Sequence, residues 1–277
     1  MTLYKNGGET WVVVGASRAR GIGLEFVNKL LQQPTPSQAP ASQKDKDQTQ
    51  QHVRVVAAVQ DPSNAPRLYE LLDSLDARKR CVVEECDVSN EDSLSTFAGT
   101  MQQHLDNGMV ISTVVLNAGI LQYPNRATEV SFSAFAQHLH TNTIGPIICA
   151  QKLLELSPLP PQKLVFISSD SGSTTNFLSY EDGFAAYAAS KAALNQMLRH
   201  MAAELARSTD RRKKMATVLA LHPGEVQTDM ANVQLGWQVQ GQITPAESVS
   251  GMMKVIAAKG VEDSGTFWCW DGRSHPW

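Results

Sequence analysis

The stretch from Val12 to Phe26 reads VVVGASRARGIGLEF, and its order decides the fold class. Three β-branched residues predict a buried strand, Gly15 opens a polar turn, and Gly21-Ile22-Gly23 leads into an amphipathic run that predicts a helix over 22–31. Working outward, the same alternation repeats along the chain. Apolar runs at 11–14, 53–59, 81–86, 110–116, 163–168, 216–221 and 266–270 predict seven strands. Helix-length segments at 66–77, 91–105, 131–156, 184–207 and 245–259 lie between them. Strands that are apolar on both faces and separated by helices imply a parallel sheet covered on both sides, because parallel neighbours need a crossover. The expectation is a seven-stranded, doubly wound α/β sheet.

Length, charge and cysteine usage bound the function. The 277 residues suffice for one large α/β domain spanning 1–277. Twenty-seven acids against 24 bases leave the chain near neutrality, which points away from nucleic acid and from anionic membrane as partners. The basic run Arg211-Arg212-Lys213-Lys214 reads as a solvated turn. Cys81, Cys86, Cys149 and Cys269 show no CxxC spacing and read as reduced thiols of a cytoplasmic protein. The N-terminal MTLYKNGGETW lacks a signal-peptide pattern, and no apolar run reaches the length of a membrane span. Scattered histidines predict no metal site. The segment 32–52, with three prolines and almost nothing to bury, reads as a disordered surface insertion.

The glycine turn carries the first chemistry. Backbone amides there and the N-terminus of the following helix can approach a pyrophosphate, with the helix dipole favouring its negative charge. A second signal is Tyr187-Ala188-Ala189-Ser190-Lys191 at the head of a helix. Four residues apart, Tyr187 and Lys191 share a helical face, so the ammonium can favour an ionised phenol. Moving a phenol from pKa 10 towards 7 needs about 4 kcal/mol. Three strand ends add polar or small-residue turns at the sheet's carboxyl edge: Asn117-Ala118-Gly119, Ser168-Ser169, and the run from His222-Pro223-Gly224 to Val226 and Thr228.

At these residues the chain resembles the short-chain dehydrogenase/reductase family, a Rossmann-fold family, over nearly its whole length. Within it the chain is most similar to carbonyl reductases of the sniffer and C-factor type. GIGLEFV at 21–27, NAG at 117–119, TNTIGP at 141–146, YAASK at 187–191, HPGEVQTDM at 222–230 and GTFWCWDGRSHPW at 265–277 carry the resemblance. It implies Tyr187 as general acid to a carbonyl oxygen, Ser169 hydrogen-bonding that oxygen, and Lys191 holding the nicotinamide ribose and depressing the phenol pKa. Asn142 would position a water that relays protons to Lys191. The implied dinucleotide site comprises Gly15, Ser17, Arg18, Arg20, Gly21, Ile22 and Gly23 in the loop, and Gln60, Asp87 and Val88 towards the adenine. Asn117, Ala118 and Gly119 would line the adenosine side, and Pro223, Gly224, Val226 and Thr228 would orient the nicotinamide, beside Tyr187 and Lys191.

Three departures from the family pattern stand out. Five residues rather than three separate Gly15 from Gly21, so the two extra ones are expected to bulge outward. Ser169 precedes Tyr187 by 18 positions, so 170–186 forms a long flap, and Ser168 or Ser171 is an alternative to Ser169. Glu225 stands where several relatives have tryptophan. For the cofactor, the resemblance places the discriminating acidic position at the neutral Val59, and Arg18 supplies a cation, which favours NADP(H) over NAD; Asp61 argues the other way. The expected partner is a small carbonyl substrate, and a homo-oligomer is compatible with the sequence. Two alternatives remain: an NAD-linked alcohol dehydrogenase working oxidatively, and a dinucleotide-binding sensor or scaffold.

Overall fold

The strands β1 (Glu9–Val14), β2 (Arg54–Val59), β3 (Cys81–Glu85), β4 (Val110–Leu116), β5 (Lys163–Ile167), β6 (Thr217–His222) and β7 (Thr266–Cys269) form one sheet in the order β3-β2-β1-β4-β5-β6-β7. Every neighbouring pair is parallel. The structure, a computed structural model, describes residues 9–33, 53–235 and 237–277. The expected seven strands are all present among them.

Alternation along each strand feeds two cores. Val12 and Val14 face one layer with Val56 and Ala58, whereas Val13 faces the other with Val55, Ala57 and Val59. This explains runs with no polar face: each side of the sheet is roofed by helices. On the first side pack α3 (Glu91–Asp106), α5 (Gly145–Leu154) and α6 (Ala185–Ala206), through residues such as Phe97, Leu153 and Leu198. On the second pack α1 (Ile22–Gln32), α2 (Pro66–Ser74) and α8 (Pro245–Ala258), through Phe26, Leu68 and Met252. The chain runs outward from β1 to β3 and then returns to place β4 beside β1. That reversal opens a crevice at the carboxyl ends of β1 and β4.

Three local readings are corrected. The first helix continues through Gln32, so the expected insertion at 32–52 loses that residue; its stretch from 34 to 52 lies outside the described residues. The segment 131–156 is not one regular helix: α4 (Phe132–Leu139) passes through a π turn at His140–Ile144 into α5. Pro146 lacks the amide that the Asn142 carbonyl would meet in a regular α-helix, so the ladder cannot run unbroken. The basic run forms an exposed one-turn helix, α7 (Arg211–Lys214), in which Arg212 pairs with Asp210 at 2.7 Å and Lys213 with Glu155 at 2.5 Å. Among the described residues no helix is long and apolar enough to cross a membrane.

Candidate active site

The glycine loop begins where β1 ends. Gly15 adopts φ +91°, a conformation that favours glycine, and its amide donates to Ala58 O at 2.8 Å. The two extra residues sit in a turn closed by Gly21 N to Arg18 O at 3.0 Å, and Arg18, Ala19 and Arg20 are all exposed. The lengthened loop thus bulges outward and leaves the start of α1 in place. No side chain caps that helix, whose N-cap is Gly21. Its first amides face the crevice with the dipole's positive end, the arrangement a phosphate anion requires. Gly23 packs so closely that a Cβ there would lie 2.2 Å from Gly15 O.

A crevice of about 280 Å³ runs from Gly15, Ser17, Arg18, Gly21 and Ile22 past Asn117, Ala118 and Gly119 to Gln60, Asp87 and Val88. Asn117 Nδ2 donates to Gly15 O at 2.9 Å and ties the two strand ends together. Gln60 Nε2 donates to Asp87 Oδ2 at 3.0 Å, while Ser89 donates to Oδ1. Burial raises the Asp87 carboxyl, yet these bonds hold it below the usual range. Arg18 Nη2 donates to Gly119 O at 3.1 Å across the crevice. Arg20 instead offers its backbone amide to Asp229 at 3.3 Å, and its side chain is not among the lining groups. Asp61 is turned onto its own loop, accepting from Ser63 N at 2.8 Å and Ser63 Oγ at 2.6 Å.

Beside this crevice a second pocket of about 150 Å³ holds Ser169, Tyr187 and Lys191. Lys191 is buried, its Nζ donating to Ile167 O at 2.8 Å and lying 5.8 Å from the Tyr187 ring centroid. Burial pulls its pKa down to about 8. Tyr187 hydrogen-bonds Ser169, but its phenol is pushed up rather than down. Burial is the main cause, and Asp170, Glu225 and Glu181 add to it. The expected depression of this phenol is not produced by the chain's own residues: desolvation and the three acidic neighbours raise it, the Ser169 hydrogen bond only partly offsets them, and the phenol keeps its proton.

The three serines separate by their partners. Ser168 is buried, its hydroxyl spent on Asn195 Oδ1 at 2.6 Å, and Ser171 donates to Glu181 Oε1 at 3.2 Å. Ser169 alone of the three meets the phenol, and it also donates to Asp170 Oδ1 at 3.1 Å. Ser169→Ala is expected to reduce turnover by at least tenfold. Ser168→Ala should lower thermal stability, through the stranded Asn195, more than it lowers turnover. Steady-state rates and melting temperatures of the two variants check this, and the reverse pattern would move the role to Ser168.

Asn142, fully buried in the π turn, clamps Ile120 rather than touching Lys191 with its side chain. Its Oδ1 accepts from Ile120 N at 2.8 Å, and its Nδ2 donates to Ile120 O at 2.9 Å and Ser190 Oγ at 3.0 Å. Pro223 O accepts from Ser248 Oγ at 2.6 Å, Gly224 adopts φ +84°, and buried Val226 bridges to Ile243. Ile22, Asn117, Gly119, Thr228 and Met230 line both pockets and join them.

Sequence reading missed Asn125. It is buried, and its Oδ1 accepts from the first free amides of α6, Ala186 N at 2.8 Å and Tyr187 N at 3.2 Å. That replaces an N-cap from outside the helix and fixes where Tyr187 starts. Also missed was the assembly of Asp170, His222 and Glu225, whose ligand atoms lie within 4.8 Å of one another. His222 Nδ1 already accepts from Asp170 N at 3.1 Å. His222 and Glu225 share one turn, but no spacing in the sequence joins them to Asp170, 52 positions before His222.

Comparison with known proteins gives this geometry its family. An uncharacterised oxidoreductase of Schizosaccharomyces pombe is 28% identical over 269 residues, covering 93% of this chain and 94% of that protein. The NADPH-bound carbonyl reductase from chicken fatty liver superposes with a TM-score of 0.79 at 28% identity, over 98% of this chain and 100% of that one. The carbonyl reductase Sniffer of Drosophila melanogaster shares the fold, with a TM-score of 0.76 at 22% identity over 98% of this chain and 100% of that one. The family model for short chain dehydrogenases matches residues 9–238, and the chain belongs to that family of oxidoreductases.

Proposed function

We propose that the chain is an NADPH-dependent reductase of ketone or aldehyde carbonyls. The observation that carries this reading is the meeting of a protonated Tyr187 phenol with the Ser169 hydroxyl, directly beside a crevice shaped for a dinucleotide. The open N-terminus of α1 and the close-packed Gly15 and Gly23 suit a pyrophosphate. Val226 and Thr228 would hold the nicotinamide end, Asn117 and Gly119 the adenosine side, and Asp87 and Val88 the adenine. When bound, that cofactor supplies the hydride.

The chain's own residues then handle the proton and the orientation. Ser169 holds the carbonyl oxygen, Tyr187 gives it a proton as negative charge develops there, and Lys191 keeps a cation beneath the phenol. Asn142 acts by fixing Ile120 and the start of the next loop. A phenol raised above its ordinary value carries the proton that reduction requires, and the bound cofactor's positive charge would bring its acidity nearer to the working pH. Unpaired, buried thiols accord with a reducing cytoplasmic setting.

Cofactor choice rests on charge. Val59 is buried and neutral, Asp61 is turned away, and Arg18 projects over the crevice. A charge-assisted contact to a 2′-phosphate contributes about 1.5 to 3 kcal/mol, or about ten- to a hundredfold in affinity. Arg18→Ala should therefore weaken NADPH by that factor and leave NADH within a few-fold. Equal weakening of both, measured by titration, would remove the phosphate contact. The reading as a whole is tested by NADPH consumption with a panel of aldehydes and ketones, matched to the alcohol formed. Tight dinucleotide binding with no alcohol from any substrate would favour a sensor or scaffold instead.

A further inference from the structure

Ser169, Tyr187 and Lys191 define the catalytic pocket without reference to the acids around them, and those acids decide what enters it. Asp170, Glu181 and Glu225 all line it. Among the described residues no lysine or arginine pairs with any of the three. Ser169 Oγ and Ser171 N donate to Asp170, its one basic neighbour among the described residues is His222 at 3.5 Å, and burial lowers the His222 pKa and favours the neutral ring. Burial, reinforced by Asp170 and Glu181, pushes the Glu225 carboxyl up to about 7; burial also raises Glu181. Three carboxyl groups thus face one ammonium, Lys191, which already donates to Ile167 O, and a cation entering beside the raised Glu181 and Glu225 would draw them into their charged form. A pocket with this surplus gains energy from any cation that enters and loses it to any anion.

An aromatic wall stands next to the acids. Tyr180 and Trp237 meet edge-on at 6.4 Å, Trp237 and Phe184 at 5.9 Å, and Phe184 and Tyr187 edge-on at 6.4 Å. Glu181, Asp170 and Glu225 act electrostatically on Tyr180, which places this wall within their field. Aromatic faces joined to carboxylates recognise ammonium groups, alkylated ones above all. A divalent metal ion fits less well, because the nearer nitrogen of His222 is already an acceptor for the Asp170 amide.

We propose that the substrate of this pocket is a carbonyl compound bearing an organic cation, an ammonium or alkylated amine a few bonds from the carbonyl carbon. The proposal rests on the reading of the pocket as a carbonyl-reducing site. Glu181 and Glu225 are its specificity-determining residues, with Asp170 adding to the field. The reaction itself is unchanged: the carbonyl carbon gains a hydride, its oxygen gains the Tyr187 proton, and the cationic group takes no part in bond making.

Two ketones of nearly equal shape test it: acetonyltrimethylammonium and its neutral isostere, methyl neopentyl ketone. Dissociation constants in the NADP⁺ complex and kcat/KM with NADPH are measured for both, in the wild type and in the Glu181→Gln/Glu225→Gln variant. The cation should be favoured at least tenfold in affinity in the wild type. In the variant the cation-to-neutral ratio should fall at least tenfold in both measurements. Taking the ratio between proteins cancels the intrinsic reactivity of each ketone. A ratio that does not change between wild type and variant overturns the proposal. So does manganese(II) binding at these carboxylates with no preference for the ammonium. If the ammonium binds tighter but neither ketone is reduced, carbonyl reduction fails while the cation pocket stands. Equal affinity and equal reduction of both ketones sinks the cation pocket and leaves reduction intact.

Discussion

Tyr187→Phe should lower carbonyl reduction by about a hundred- to ten-thousandfold, the range a positioned general acid contributes. The substitution removes one oxygen and leaves the ring, so the contact with Phe184 and the position of Lys191 below it persist. Ser169 keeps Asp170 as a partner, which limits the structural cost to about 1 kcal/mol. NADPH affinity should change less than threefold, because the loop amides and the α1 N-terminus are untouched. A variant that turns over at a near-native rate would remove Tyr187 as the proton donor. One that loses cofactor affinity in step with turnover would show a structural role instead.

The second large effect is expected at Gly23. An alanine Cβ there would sit 2.2 Å from Gly15 O and 2.7 Å from Asn117 Nδ2, and two of the three nearest atoms are backbone. Neither the strand end nor the start of α1 can yield without opening the loop. Overpacking of this kind costs about 1–3 kcal/mol, and the strain falls on the phosphate cradle itself. Gly23→Ala should therefore lower the melting temperature and weaken NADPH by more than tenfold. Gly99 gives the contrast: it is an exposed residue inside α3, and an alanine Cβ there would meet nothing within 4 Å, so Gly99→Ala should gain about 0.5–1 kcal/mol and leave affinity alone. Calorimetric melting and titration of both variants check the pair. Equal behaviour would mean that the close approach at Gly23 has no part in binding.

The sheet was legible because its strands are buried on both faces, which writes uninterrupted Val and Ala runs into the sequence, as at 12–14 and 55–59. Periodicity fixed helix type equally well but not the π turn at Asn142, where the cause is one missing amide at Pro146. The proposed catalytic groups could be read from the sequence because Tyr187 and Lys191 are close in it and sit on one helix. Their protonation could not be read the same way. The phenol's neighbours Asp170, Glu181 and Glu225 come from a strand end, a flap and a separate turn, and only the fold adds their charges together. Asn125 escaped for the same reason, since it caps a helix that begins sixty positions later along a path no pattern records.

The most direct test of the account follows the hydride. NADPH deuterated at the transferable position is incubated with a reducible ketone, and the alcohol is analysed by mass spectrometry for the site of the label. The account predicts one deuterium on the carbinol carbon for each cofactor consumed, with the oxygen's proton drawn from solvent through Tyr187, and almost no labelled alcohol from Tyr187→Phe. Cofactor binding without any labelled alcohol, or label transfer undiminished in Tyr187→Phe, would contradict it.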